Sequence, residues 1–433
     1  MLNLKSLNHK AVGSIYIHNI GQLVTMAGTP RRGPEEMGQL NIVEGPATLI
    51  IEDGVVTYAG LESEAPRLQM GMERINAEGN CVLPGLVDSH THLVFGGFRE
   101  DEFQWRLAGE SYMSIMERGG GIASTTKATR AASKEELTRG ALKHLDAMLR
   151  MGVTTVEAKS GYGMDHDTEI RQLEVTEELN RRHPISLYST YMGAHDTPVE
   201  FKGRPSEYID FIIREMLPLV KKRSLAECVD IFTEKNVFEH EDTRKLLRKA
   251  ADLGFKVKMH ADEIVPIGGA QLAAELGCLS ADHLLKISEE GIQALANSET
   301  VATCLPLTAF SLMDEYAPAR KMIDAGCCVA VASDLNPGSC FSASVPLLIA
   351  LSTIYMKMTI EETLSAMTIN AAKAIDRDKE VGSLEVGKVG DAIILKYPSY
   401  KFLSYHFGMN LVDTTIKAGV AHRFGELPHK SMF

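Results

Sequence analysis

Two histidines spaced two apart, His90 and His92, follow an apolar run in the segment PGLVDSHTHL at 84–93. Residues i and i+2 of a strand point to one face, so two imidazoles there can bind one metal ion. The pair alone is a weak signal, because a surface loop can carry the same two residues. The Pro-Gly before it, and Asp88 two residues ahead of His90, sharpen it. Similar chemistry recurs where later apolar runs end. STYMGAHD carries His195, KMHADE carries His260 and Glu263, SADHLL carries His283, and AVASDLNPGS carries Asp334. A lone histidine is more often packed or solvated than functional. Five of them, with an aspartate and a glutamate at corresponding places on separate runs, argue for one shared centre.

A scaffold must bring these ends together. Apolar strand-like runs occur at 81–93, 153–159, 185–195, 228–234, 256–263, 280–285, 301–305 and 328–336. Amphipathic stretches lie between most of them, such as KEELTRGALKHLDAMLRMG and EDTRKLLRKAADLG, the second stopping at Gly254. Strands alternating with helices predict an α/β fold, a (β/α)8 barrel, although an open doubly wound sheet gives a similar pattern. In a barrel, every residue named above falls at a strand's C-terminal end, where such folds build their sites. The first 80 residues read instead as short strands and turns. Asp53-Gly54, within ATLIIEDGVVTYAG, is a hairpin signal, and 28–38 reads as a loop. The tail repeats this β character in DAIILKYPSY and LVDTTIKAGVAHRF. The expected organisation is a small β domain from residues 1–80 plus 380–433, around a catalytic barrel at 81–379.

Composition narrows the function. A chain of 433 residues buries a large core without needing disulfides. A formal net charge of -12 without a long basic run argues against a general nucleic-acid binder, because phosphate contacts need clustered Lys and Arg. The seven cysteines are odd in number and form no C-x-x-C pair, so neither a disulfide framework nor a zinc ribbon is expected. Reduced thiols in the cytoplasm fit. No signal peptide is read at the N-terminus, and no apolar stretch reaches the ~20 residues that span a bilayer. GGGI at 119–122 lacks the Lys-Ser/Thr of a phosphate loop, and Ser339 sits in no G-x-S-x-G elbow.

H-x-H after the first strand, histidines on the fifth and sixth, and an aspartate on the eighth resemble the amidohydrolase superfamily. GLVDSHTHLVFGGFREDEF, EAKSGYG, YMGAHDTP, HADEI, SADHL and SDLNPGS, in order along nearly the whole chain, are similar to motifs of the imidazolonepropionase family within it. The resemblance implies a TIM barrel of the amidohydrolase type with a small β-sandwich built from both termini. It implies a cytoplasmic hydrolase of cyclic amides, with 4-imidazolone-5-propanoate opened by water to N-formimidoyl-L-glutamate in histidine degradation. A homodimer is a family-level expectation. His90, His92, His260 and Asp334 are implied as ligands of one divalent metal ion per chain. Imidazoles with one carboxylate suit Zn(2+) or Fe(2+)/Fe(3+).

Some related enzymes bridge two metals with a lysine on strand four. CVDIFTE has none, and Lys159, on strand two, reads as a surface or ion-pair lysine. By the same resemblance Glu263 moves the proton, His283 orients water or stabilises charge on the carbonyl oxygen, and Asp334 assists as base. The division of proton work among these three stays open. Arg99 is implied to hold the propionate through paired hydrogen bonds. Tyr162 and His195 are implied ring and carboxylate contacts, and Asn336, Gly338 and Ser339 the loop that holds product.

Two other functions compete. A deaminase acting on guanine or cytosine would share the ligands without needing Arg99, and ammonia release distinguishes it. A non-catalytic scaffold would have lost a ligand, and all the expected ones are present.

Overall fold

The computed structural model describes residues 4–8, 10–67, 71–110, 114 and 118–424. Eight parallel strands follow one another in chain order: β1 (Leu86–Asp88), β2 (Val153–Lys159), β3 (Ser186–Ala194), β4 (Cys228–Thr233), β5 (Met259–Ala261), β6 (Ser280–His283), β7 (Val301–Cys304) and β8 (Val329–Val331). The order never reverses, which selects the barrel over the doubly wound sheet. The seam between first and last strands is stitched at its C-terminal rim. Asp334 N–H donates to the His90 carbonyl and His92 N–H to the Leu335 carbonyl, each at 2.9 Å.

Both faces of such strands are covered, so they read as apolar runs. β2 is buried at every position, including Glu157 and Lys159, which share a face. The helices outside follow the predicted pattern. Lys134–Arg150 opens with a Ser133/Glu136 capping box and buries Leu137, Ala141, Leu145, Met148 and Leu149 along one stripe. His240–Asp252 ends just before Gly254.

The second sheet contains strands from both ends of the chain. Its order is Val420–Arg423, Val412–Lys417, Ala392–Leu395, Cys81–Pro84, Ile15–Val24, Ile42–Glu52, Val55–Leu61, with Glu73–Asn76 on the other side of Ile15–Val24. Ile15, Ile17, Leu49, Val82, Ile394 and Ile416 form part of its own buried core. Asp53 and Gly54, at φ 48° and 81°, make the tight turn expected between Ile42–Glu52 and Val55–Leu61. The run at 81–93 is therefore two strands, Cys81–Pro84 in this sheet and Leu86–Asp88 in the barrel.

The stretch at 28–38 is not all loop: Gly33–Met37 is a short helix with Pro34 in its first turn, Glu35 and Glu36 at its positive end, and Met37 buried. All seven cysteines are free and buried. Among the described residues no helix is long and apolar enough to cross a membrane. Residues 425–433 of the predicted tail lie outside the described residues.

Candidate active site

The chain turns out of β1 at Asp88, whose carboxylate accepts from Ser333 N–H at 3.0 Å. This tie fixes the next residues against the loop after β8. His90 and His92 then enter the barrel mouth beside Asp334, with His90 Nε2 3.5 Å and His92 Nε2 3.9 Å from Asp334 Oδ1. His260, within β5, brings its Nε2 to 3.4 Å from that of His92. His283, at the end of β6, places its ring centroid 5.0 Å from that of His260, tilted by 40°. His195, just beyond β3, lies flat against His92 with centroids 4.7 Å apart, and Tyr162 packs 5.1 Å from His195. All five histidines, Asp334 and Tyr162 are buried.

The chemistry of these atoms fits a metal ion. His90 Nε2 and Asp334 Oδ1 are buried without any hydrogen-bond partner, a costly state in a folded interior. His90, His92 and Asp334 each offer one atom within 4.8 Å of the others, as do His90, His260 and His283. Burial holds His90, His92 and His260 well below the ordinary histidine value, with nearby cationic groups adding to it. Their rings are thus neutral and carry a lone pair. Burial pushes Asp334 up to about 7, opposed by the Thr308 hydroxyl, which donates to its other oxygen, Oδ2, at 2.6 Å.

Beneath the histidines lies a charged layer. His90 Nδ1 meets Asp282 Oδ2 at 2.7 Å and His260 Nδ1 meets Asp230 Oδ1 at 3.1 Å, which leaves His90 Nε2 toward Asp334 and His260 Nε2 toward His92. Lys159 sits between Asp230 at 2.7 Å and Glu157 at 2.9 Å, and Lys258 bonds Glu157 at 2.8 Å. Burial opposes the charge on Lys159, but Asp230, Glu157 and Asp282 overcome it and hold its pKa above the usual value. Two ammonium groups against three carboxylates leave one negative charge under the site, an arrangement that favours a cation above it.

Lys159 is thus the ion-paired lysine of the sequence reading, but none of it reaches the surface. Asp230, Asp282, Glu157, Lys258 and Thr308 were missed by sequence reasoning. The available signal was charge at alternate positions inside otherwise apolar strands, as in VEAK, CVDIF and KMH.

Around the rim, Glu263 Oε1 lies 3.5 Å from His283 Nδ1. Burial, and then the Asp334 carboxylate, push Glu263 up to about 8, while burial takes His283 down to about 3 and His195 to about 4. Arg99 reaches in from the loop after β1 and lies over Gly338, where a Cβ would stand 1.9 Å from its Nη1. Asn336 gives its amide ends to the loop itself: Oδ1 accepts from Gly338 and Ser339 N–H, and Nδ2 donates to the Ser339 hydroxyl at 2.9 Å. A cavity of about 430 Å³ adjoins Arg99 and the loop after β8, lined by Phe98, Arg99, Leu307, Phe310, Gly338 and Phe341.

The profile of the Amidohydrolase family matches residues 238–421. Among solved structures, 5-methylcytosine deaminase from Klebsiella pneumoniae superposes with a TM-score of 0.71 over 95% of this chain and 98% of its own, at 16% identity. A zinc-bound adenosine deaminase from Xanthomonas campestris gives 0.67 over 95% and 93%, at 17% identity. The fold is thus of the amidohydrolase type, and the profile matches its C-terminal part. An imidazolonepropionase of Porphyromonas gingivalis (strain ATCC 33277) is 65% identical over 94% of this chain and 96% of its own length. Those of Parabacteroides distasonis and Clostridium tetani are 56% and 52% identical, each over 94% of this chain. The chain belongs to the imidazolonepropionase family.

Proposed function

We propose that the protein hydrolyses 4-imidazolone-5-propanoate to N-formimidoyl-L-glutamate, adding water at the ring carbonyl and breaking its bond to the adjacent ring nitrogen. The observation that carries the reading is the convergence of neutral His90 and His92 on Asp334, with His260 Nε2 3.4 Å from that of His92, over a layer of net negative charge. These four residues would hold one Zn(2+) or iron ion, which when bound lowers the pKa of a water and polarises a carbonyl. A second ion is disfavoured: the neighbouring His90–Glu157–Asp282 group already faces Lys159 and Lys258.

Glu263 takes a proton from the attacking water and delivers it to the departing nitrogen. A carboxyl poised near neutrality serves both directions. His283, neutral and beside Glu263, donates toward charge growing on the carbonyl oxygen. Tyr162 and His195 flank the ring, and Arg99 takes the propionate through its guanidinium, over the loop containing Asn336, Gly338 and Ser339. A cytoplasmic homodimer, with its small-β and barrel domains at 1–80 plus 380–433 and at 81–379, completes the reading.

The test combines metal analysis with a ring-opening assay on the wild type and His260→Ala. About one equivalent of metal per chain is expected, as a single three-imidazole, one-carboxylate cage holds. Ring opening should proceed without ammonia, and the variant should lose both metal and turnover. Ammonia release would favour the deaminase instead.

A further inference from the structure

Arg99 is not held by the pocket it serves but by a neighbour on its own helix. Glu102 lies in the helix Glu100–Leu107, just beyond Arg99, and is buried. Its Oε2 accepts from Arg99 Nε at 2.8 Å and lies 2.8 Å from Nη2. Both carboxylate oxygens also face Gly121 N–H, at 3.2 and 3.1 Å. Gly121, at φ 79° and ψ -162°, adopts a backbone region open essentially to glycine alone, and there its N–H reaches Glu102. On the far side, Gly338 leaves no room for a side chain beneath Nη1. Arg106 Nη2 holds the Gly338 carbonyl at 3.1 Å. The guanidinium is clamped on one edge by a carboxylate and bounded on another by bare backbone.

We infer that Glu102 is the positioning residue of carboxylate recognition, holding Arg99 so that its remaining N–H groups are preset for the acid group of the ligand. The inference rests on the reading of Arg99 as the propionate contact. Arginine has many rotamers, and an unrestrained Arg99 could turn into the adjoining cavity. Fixing it beforehand removes an ordering cost from binding. Glu102 also opposes a second carboxylate by its charge. The two effects carry opposite signs, so removing Glu102 decides between them. Together Arg99, Arg106 and Glu102 leave one positive charge beside Gly338, enough for one acid group.

The experiment measures kcat and KM with 4-imidazolone-5-propanoate and with the ring lacking its propionate. It compares wild type, Glu102→Ala, Glu102→Gln, Arg99→Ala and the Arg99/Glu102 double alanine variant. Glu102→Ala should raise KM for the propanoate on the order of tenfold, the size of one charged hydrogen-bonding contact. Its kcat should fall less, and kcat/KM for the bare ring should barely move. In the Arg99→Ala background the same change should add nothing, and Glu102→Gln should recover part of the loss.

Equal losses for both ligands, or a loss that persists without Arg99, would overturn the inference, as would an unchanged or lower KM. If Glu102→Ala fails to fold, Glu102→Asp decides: it keeps the charge but withdraws it by one methylene. A raised KM for the propanoate alone supports the inference and an unaltered KM overturns it. Wild type that leaves the imidazolone ring intact would refute the proposed function, not this positioning role.

Discussion

His90 Nε2 and Asp334 Oδ1 lie 3.5 Å apart, both buried and both without a hydrogen-bond partner. They come from opposite sides of the barrel seam, and the bond closing that seam joins Asp334 N–H to the His90 carbonyl. The backbone therefore presses two unsatisfied atoms together, an arrangement that a bound cation relieves. Asp334→Ala should cut bound metal from about one equivalent to a trace. A chelator should lower the Tm of the wild type but not of the variant, because an ion that binds only the folded state stabilises it. Calorimetry with and without chelator checks this, and an equal response of both proteins would refute it.

Glu263 gives a prediction in pH. Burial and Asp334 raise its carboxyl from 4.5 to about 8. Between those values the folded chain keeps a proton that the unfolded chain releases. The stability this proton contributes is complete below pH 4.5 and is lost as pH rises through about 8. Glu263→Gln lacks the titration. In metal-stripped protein its Tm should therefore gain on wild type from pH 5 to pH 8, and a constant difference would count against the shift. With metal present, turnover should fall by roughly 10²–10⁴ while metal content holds.

Lys159 is fully enclosed between Asp230, Glu157 and Asp282. Lys159→Met strips Asp230 of its ammonium partner and leaves Glu157 and Asp282 to Lys258 alone. Unfolding in urea should show a loss of about 3–5 kcal/mol, the usual cost of breaking a buried pair. A loss below about 1 kcal/mol would place the network in the range of exposed ion pairs.

The cysteines are all buried, and burial pushes the thiols of Cys81, Cys228 and Cys328 up to about 12 and that of Cys327 to about 11. Thiolate is the reacting form, so an aromatic disulfide reagent should label none of the seven quickly in the native protein and all seven in denaturant. Fast labelling of any one at neutral pH would contradict the burial.

Much of this protein was legible in its sequence. The barrel strands show as apolar runs because both faces of a parallel sheet are covered, and Asp53-Gly54 marks its hairpin because both residues accept a left-handed backbone. His90, His92, His260, His283 and Asp334 stand out because they interrupt strand ends where an apolar residue would otherwise pack. Sequence could not show that Cys81–Pro84 leaves the barrel for the second sheet, since its apolar character suits either core.

The tertiary structure alone decided what lies beneath and beside those residues. Asp282 reaches His90 across 192 positions of chain, and Glu102 faces Gly121 across 19. Whether a buried charge is paired, and which nitrogen of a histidine is turned inward, depends on such distant partners. Local spacing carries period and turn chemistry, whereas the pairing of charges inside a barrel is fixed only when the strands close around them.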